Sequence, residues 1–373
     1  MAKTQDPARD RLARLLRAAR GRRAVIVAQD RPDPDGMATA AALTRILREK
    51  AGAEALIAAS GESGRAENVT TLQFLGESLH DLDSLELEEF DFRALVDTQP
   101  GFGNNSWPEE EPLDFILDHH PRGPGLQPRQ FADIRPQYGS ASTIATEYLR
   151  AAGIEPEPQL ATVLLYGIKT DTQDLSRGAT AADNEAFLYL YARANRQLLA
   201  KIERERLPRE YFVTLAIALC RCRIYASVAI CALGEVDSPD VLSEMADLFL
   251  RLEGARWVLC YGLYDGQLHL SARTLVRQGN AGQVMADLLE GLGEGGGHDM
   301  MAGGQAALPE DDDLAGFTRE IELRFLRLLD VKTRTPEPLV PARVLPGAQA
   351  SDGEGTDSPE APGEPAARVS GRR

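Results

Sequence analysis

The residues best suited to chemistry are two adjacent histidines in the stretch FILDHHPRG, residues 115–123. The chain of 373 residues contains five histidines, and His119 and His120 directly follow Asp118 at the end of an apolar run. Neutral imidazole is the commonest side-chain ligand of transition metals, and a neighbouring carboxylate fixes its tautomer. The pair therefore indicates a metal site at the end of a buried strand.

Aspartates stand at the corresponding points of three other segments. Asp33 and Asp35 lie in the turn PDPDG after the apolar run AVIVAQ, Asp97 lies near the end of DFRALVDT, and Asp171 lies near the end of PQLATVLLYGIKTDT. Carboxylates held close together repel one another unless a cation lies between them. An aspartate at any one of these positions could as well be a helix cap or part of a solvated turn as a metal ligand. The whole set, rather than any one member, indicates a shared cation site.

The segments that must position these side chains alternate between strands and helices. Apolar strands are predicted over residues 24–29, 54–60, 91–98 and 113–120, and helices over 6–20, 36–52, 139–153 and 158–172. This alternation predicts an α/β fold with a mostly parallel N-terminal sheet flanked by helices. In such sheets the functional residues gather at the carboxyl ends of the strands.

A second, smaller α/β unit is predicted after a charged helical stretch. Its strands are IYASVAICAL, ARWVLCYGLY and QLHLSART, its helices are DVLSEMADLFLRL and AGQVMADLLEGL, and residues 293–305 are predicted to be a loop. We expect a cleft between the two domains. The predicted divisions are an N-terminal helix (1–21), a first domain (22–195), a helical connector (196–214), a second domain (215–330) and a disordered, proline-rich tail (331–373).

Composition narrows the classes of function. The formal net charge of −16 disfavours a protein that grips long nucleic acids through a basic surface, but it leaves room for a small phosphorylated substrate. The N-terminus lacks the apolar core of a signal peptide, and no run of 18 apolar residues occurs. We therefore predict a cytoplasmic protein with no membrane partner.

The order of the motifs resembles that of the DHH phosphoesterases. The matching segments are PDPDG (32–36), LVDT (95–98), LDHH (117–120), YGSAST (138–143) and GIKTDT (167–172). The second unit resembles the DHH-associated domain through HLSART (269–274) and GGGHDMMAGG (295–304). The resemblance covers about residues 22–310.

The resemblance implies a hydrolase in which two metal ions activate a water molecule. The implied metal ligands are Asp33, Asp35, Asp97, His119 and Asp171, with Asp97 bridging the two ions. The implied catalytic residues are Asp97, His120, which would lie beside the phosphate, and Asp118, which would orient its neighbours. The implied substrate-binding residues are Ser140, Arg273, Gly295, Gly296, Gly297 and His298. The implied cofactor is Mn²⁺, two ions per chain, with Mg²⁺ or Co²⁺ as substitutes.

One position departs from the family pattern. The family has a histidine four residues before the first aspartate of its PDxD motif, and this chain has Gln29 there. An amide oxygen is a weaker ligand for a transition metal than imidazole. Three interpretations stay open: a weakly held first ion with the Gln29 oxygen or water as ligand, a site that works with one tightly bound ion, or a catalytically impaired nucleotide-binding regulatory module.

The expected substrates are short. The two-domain length resembles standalone members of nano-RNase type, which implies a 3′-5′ exoribonuclease-like hydrolase of short oligoribonucleotides or dinucleotides and of adenosine 3′,5′-bisphosphate. Exopolyphosphatase-like activity is a further alternative. We expect no long nucleic acid as partner, and a homodimer is an open alternative to a monomer.

Overall fold

The computed structural model describes residues 7–61, 71, 74, 76–108, 110–123, 126, 131–204, 206–276, 278–297, 300–309 and 313–344. The chain divides into two compact units, one built around a six-stranded sheet and the other around a seven-stranded sheet. His298 and residues 345–373 of the predicted tail lie outside the described residues. In the described part of the chain, no helix is both long and apolar enough to cross a membrane.

The sheet of the first unit is parallel throughout, in the order β3-β2-β1-β4-β5-β6. Its strands are β1 (Arg23–Val27), β2 (Glu54–Ala59), β3 (Leu79–Asp81), β4 (Phe92–Val96), β5 (Phe115–Asp118) and β6 (Phe131–Ile134). The predicted parallel α/β sheet is confirmed. The strand order reverses between β1 and β4, and open α/β sheets bind ligands in the crevice at such a point.

Helices pack against this sheet through small and apolar side chains. They are α1 (Pro7–Ala19), α2 (Pro34–Ile46, followed by a π-helical turn Leu47–Ala51), α3 (Ala141–Ala151), α4 (Pro158–Asp171), α5 (Ala181–Tyr191) and α6 (Arg196–Glu203). The alanine-rich α2 is buried along almost its whole length. Gly167 of α4 packs directly on α2, because a Cβ atom there would lie 2.9 Å from Asp35 Oδ1. The two helices therefore approach closely where Asp35 and Asp171 lie.

The second sheet has the order β11-β12-β10-β9-β8-β7-β13. Its strands are β7 (Arg223–Tyr225), β8 (Val228–Glu235), β9 (Trp257–Tyr264), β10 (Gln267–Thr274), β11 (Gly293–Gly297), β12 (Met301–Ala307) and β13 (Glu337–Pro338); the helices are α7 (Arg209–Arg221), α8 (Asp240–Phe249), α9 (Ala281–Leu289) and α10 (Leu314–Leu328). Strand β13 pairs with β7 inside the stretch predicted as a tail. The domain boundaries as such stay a prediction.

The loop predicted over residues 293–305 is wrong, because this segment forms an antiparallel hairpin of β11 and β12. Glycine is a poor strand former, so the sequence pattern indicated a loop. The absence of side chains, however, lets α9 lie against the hairpin. A Cβ atom on Gly295 would lie 2.8 Å from Met285 Cγ. Tertiary packing, rather than local propensity, therefore makes this segment a strand.

Candidate metal centre

The reversal point of the first sheet gathers the aspartates and histidines of the predicted site. Asp97 directly follows β4, and Asp118 is the last residue of β5. Asp97 has a φ angle of 57°, in the left-handed region that non-glycine residues seldom adopt. Such a conformation costs on the order of 1 kcal/mol or more and persists where the surrounding structure enforces it. The backbone is thus held in a strained form at the residue implied to bridge two ions.

Four side chains form a compact set of donors, which we call the four-donor group: Asp35, Asp97, His119 and Asp171. One donor atom from each lies within 4.8 Å of the others. His119 Nε2 lies 3.1 Å from Asp171 Oδ2 and 3.4 Å from Asp97 Oδ1. His119 Nε2 and Asp97 Oδ1 are both buried without a hydrogen-bond partner. Because an unpaired buried polar atom is costly, this arrangement fits a divalent cation that would serve both atoms.

The His119 ring is oriented by a backbone carbonyl. His119 Nδ1 lies 3.3 Å from the carbonyl oxygen of Tyr138. A carbonyl oxygen only accepts hydrogen bonds, so Nδ1 carries the proton of the neutral ring and the Nε2 lone pair faces the carboxylates. The turn before α3 therefore prepares His119 as a ligand.

Asp35 is held at the N-terminus of α3. Its Oδ2 atom accepts the Ala141 amide at 2.6 Å, and its Oδ1 atom accepts the Ser142 amide at 2.8 Å. The first amides of a helix have no intrahelical acceptor, and the helix dipole favours negative charge at that end. A fully buried carboxylate is thereby fixed at the edge of the four-donor group.

His120 is paired with Asp118 and does not belong to the four-donor group. Its Nδ1 atom lies 2.8 Å from Asp118 Oδ1, which also accepts the backbone amides of both histidines. The side-chain amide of Gln99 donates to Asp118 Oδ2. Gln99 was missed in the sequence, since a glutamine in the turn TQPG carries no periodic or chemical signal. These contacts make Asp118 an acceptor that orients its neighbours.

Burial changes the protonation of the four-donor group. It raises the pKa of Asp35 and of Asp97 to about 7, and that of Asp171 to about 6, and the nearby negative charges act in the same direction. Burial alone would lower the pKa of His119, but the neighbouring carboxylates of Asp171 and Asp97 prevail and raise that pKa well above its usual value. Near neutral pH the group therefore holds protons that a cation must displace.

Cation binding is accordingly expected to weaken as the pH falls. Below the raised pKa values more protons must leave for each cation bound, so the apparent affinity should drop by about tenfold per pH unit for each proton released. Calorimetric titration of the chelator-treated protein with Mn²⁺, in two buffers of different ionisation enthalpy at pH 7, measures the protons released. We expect about one or more per cation. A count of zero would contradict the assignment of the site.

The implied ligand Asp33 and the alternative ligand Gln29 lie outside the four-donor group. Asp33 caps α2, with Oδ1 accepting the Gly36 amide at 3.0 Å, and it belongs to neither of the donor clusters found among the described residues. Gln29 comes shortly after β1, and its Nε2 atom donates to Asp97 Oδ2 at 2.9 Å. The structure therefore brings Gln29 into the site through its nitrogen, as a donor to Asp97.

The implied substrate-binding residues lie in different surroundings. Ser140 is fully buried and its hydroxyl accepts the Thr143 amide, so in this structure its side chain caps α3 instead of facing a substrate. Arg273 of β10 is held by Asp247, with Nε 2.8 Å from Oδ1. Gly295, Gly296 and Gly297 belong to β11, the edge strand of the second sheet among the described residues. The roles of Arg273 and of the glycines stay predictions.

Comparison with known proteins gives two domain matches. The model of the DHH family, N-terminal domain, matches residues 23–168, and the model of the DHHA1 domain matches residues 225–325. An uncharacterized protein from Methanocaldococcus jannaschii is 32% identical over 286 residues, which are 76% of this chain; the chain spans 58% of the length of that relative.

Solved structures share the fold. A structure of an exopolyphosphatase-related protein from Bacteroides fragilis has a TM-score of 0.69 at 13% identity and covers 88% of this chain and 100% of its own. A structure of RecJ from Thermus thermophilus in complex with Mn²⁺ has a TM-score of 0.52 at 17% identity, over 86% of this chain and 55% of its own. At these identities the likeness extends to the fold and no further.

Proposed function

The chain belongs to the DHH family and carries a DHHA1 domain, and from this premise we propose that it is a metal-dependent phosphoester hydrolase of short oligoribonucleotides, dinucleotides and adenosine 3′,5′-bisphosphate. The observation that carries the proposal is the four-donor group, which combines His119 of the DHH motif with three aspartates near the reversal point of the parallel sheet. Family membership supports phosphoester hydrolysis, and the choice of substrate is our proposal.

A divalent cation in the four-donor group would lower the pKa of a water molecule and neutralise negative charge on the phosphate. His120 supplies a proton. Burial alone would lower its pKa, but the hydrogen bond with Asp118 raises it to about 9, so the ring is an imidazolium at neutral pH. Asp118 accepts from Nδ1 of His120, and the His120 side chain is 31% exposed. Nε2 can then donate to a phosphate oxygen or to the leaving group.

Charge and positioning support a small substrate. The net charge of −16 disfavours a long polyanion, whereas one phosphate can be met by a cation and a few donors. We further propose Arg273 as a phosphate contact in the second unit, where Asp247, Ser271 and the Ala272 carbonyl hold its guanidinium in place. The RecJ structure contains Mn²⁺, which supports manganese as the cation here, with Mg²⁺ or Co²⁺ as substitutes.

The test is release of mononucleotide from a 5′-phosphorylated diribonucleotide in the presence of Mn²⁺. Adenosine 3′,5′-bisphosphate and inorganic polyphosphate are assayed in parallel, and chelator-treated protein is the control. We expect cation-dependent turnover of the first two substrates, and the ratio of their kcat/KM values identifies the preferred one. Turnover of polyphosphate alone would instead support the exopolyphosphatase-like alternative.

A second candidate is a nucleotide-binding regulatory module without turnover. The contact between Gln29 Nε2 and Asp97 Oδ2 favours it, since this contact occupies part of a residue implied to serve both metal ions. Nucleotide binding without release of product from any of the three substrates would support this candidate and contradict the hydrolase.

A further inference from the structure

The two oxygens of Asp97 have different partners. Oδ1 lies 3.4 Å from His119 Nε2, within the four-donor group, and has no hydrogen-bond partner of its own. Oδ2 accepts the Gln29 Nε2 amide at 2.9 Å. The amide directs the partial positive charge of its N–H at Oδ2 and fills the space beside it. A second cation that used Oδ2 as a ligand would have to displace this group.

The orientation of Gln29 is set by its surroundings. If the amide were turned around, its oxygen would face Asp97 Oδ2, and two acceptors would repel each other. In the observed orientation Oε1 is buried, has no partner and lies directly against Gly36, where a Cβ atom would overlap it. The missing side chain of Gly36 gives the amide group its space, and the acceptor Asp97 Oδ2 selects the orientation with the nitrogen toward it.

The remaining donors suffice for one cation. Two clusters of donors occur among the described residues, the four-donor group and a set of Asp97, His119 and His120. Both clusters use His119, and its Nε2 atom, with Nδ1 on the Tyr138 carbonyl, offers one lone pair, so only one of the two clusters can surround a cation at a time. Asp33 belongs to neither cluster, and its Oδ1 atom accepts the Gly36 amide in the first turn of α2.

We infer that the free protein holds one divalent cation tightly, in the four-donor group, and that Gln29 excludes a second cation from Asp97 Oδ2. This differs from the two ions per chain that the family resemblance implied. The inference rests on the cation site of the proposed function and deepens that proposal. It adds that Gln29 determines how many cations the chain binds.

The test is a count of bound manganese. Chelator-treated protein is titrated with Mn²⁺ at pH 8 by calorimetry, and the metal that remains after dialysis is measured by mass spectrometry. We expect one tight ion per chain in the wild-type protein. Gln29→Glu keeps the shape of the side chain, removes the N–H donor and adds a carboxylate oxygen beside Asp97. We expect this variant to bind two ions per chain.

Gln283→Glu is the matched control. Gln283 also donates its side-chain amide to an aspartate, with Nε2 2.7 Å from Asp287 Oδ1, but on the exposed surface of α9. The same chemical change there should leave the count at one, because no buried donors surround the new carboxylate. A second ion in this control would show that added surface charge, rather than the site, explains the result for Gln29→Glu.

Two results would overturn the inference: two ions of similar affinity in the wild-type protein, or one ion in Gln29→Glu with an unchanged melting curve. If Gln29→Glu does not fold, Gln29→His replaces it, because imidazole also offers a ligand atom in place of the amide donor. One bound ion in that variant would likewise overturn the inference. The readout is bound metal, so this test and the turnover assay of the proposed function can fail independently.

Discussion

Asp97→Asn is expected to abolish both cation binding and phosphoester hydrolysis. Asp97 is buried, with Oδ1 facing His119 and Oδ2 accepting from Gln29. In the variant the amide oxygen would stay on the Gln29 donor, which turns the new NH₂ group toward His119 Nε2. A ligand oxygen is thereby replaced by a donor at the centre of the four-donor group. Residues that merely support a ligand change metal affinity by about 10- to 100-fold, so we expect a loss of more than about 100-fold here.

Two variants separate the cation site from other effects of mutation at Asp97. Asp114→Asn changes another aspartate beside the same sheet, one that accepts the Arg93 amide far from any cluster of donors, and should keep both cation binding and turnover. His120→Gln should keep the cation, because His120 lies outside the four-donor group, and lower kcat by about 100-fold or more. Wild-type Mn²⁺ affinity in Asp97→Asn would show that the cation binds elsewhere.

Gly167→Ala is expected to disrupt the site although residue 167 is not itself a ligand. The new Cβ atom would lie 2.5 Å from Ser142 Oγ, 2.9 Å from Asp35 Oδ1 and 3.0 Å from the Asp35 Cα atom. The hydroxyl can rotate away, but the Cα atom belongs to the backbone of α2. Helix α4 must therefore move away from α2. Gly167 and Asp171 are one helical turn apart, so the shift carries Asp171 away from the other donors.

The expected cost of Gly167→Ala is about 1–3 kcal/mol in the free energy of unfolding, since overpacking outweighs the better helix propensity of alanine. Cation affinity should fall by about tenfold or more, as for other changes that misplace a ligand. Thermal unfolding and Mn²⁺ titration measure the two effects. Gln159→Ala, on an exposed position of α4, is the control for helix propensity. A Gly167→Ala protein that is more stable than wild type and binds Mn²⁺ normally would contradict the close approach of α2 and α4.

The elements that the sequence predicts are those with strong hydrophobic periodicity. Buried parallel strands such as β4 and β5 are almost continuous apolar runs, and α3 and α4 show an apolar face over eleven and fourteen residues. The hairpin of β11 and β12 was missed because its glycines carry no such pattern. Its strand form depends on packing against α9, which no local window of sequence contains.

The order of the motifs, the parallel α/β class of the first unit and the residue types available for a cation all follow from the sequence. These follow from local repeats of the backbone and from residue chemistry, which can be read along the chain. Tertiary packing is needed to see that Asp33 caps α2, that Ser140 is buried, and that Gln29 donates to Asp97, a residue 68 positions further along. The physical reason is that such partners meet only after strand order and helix packing place their atoms within hydrogen-bond distance. The spacing of residues along the chain does not specify atomic distances of about 3 Å.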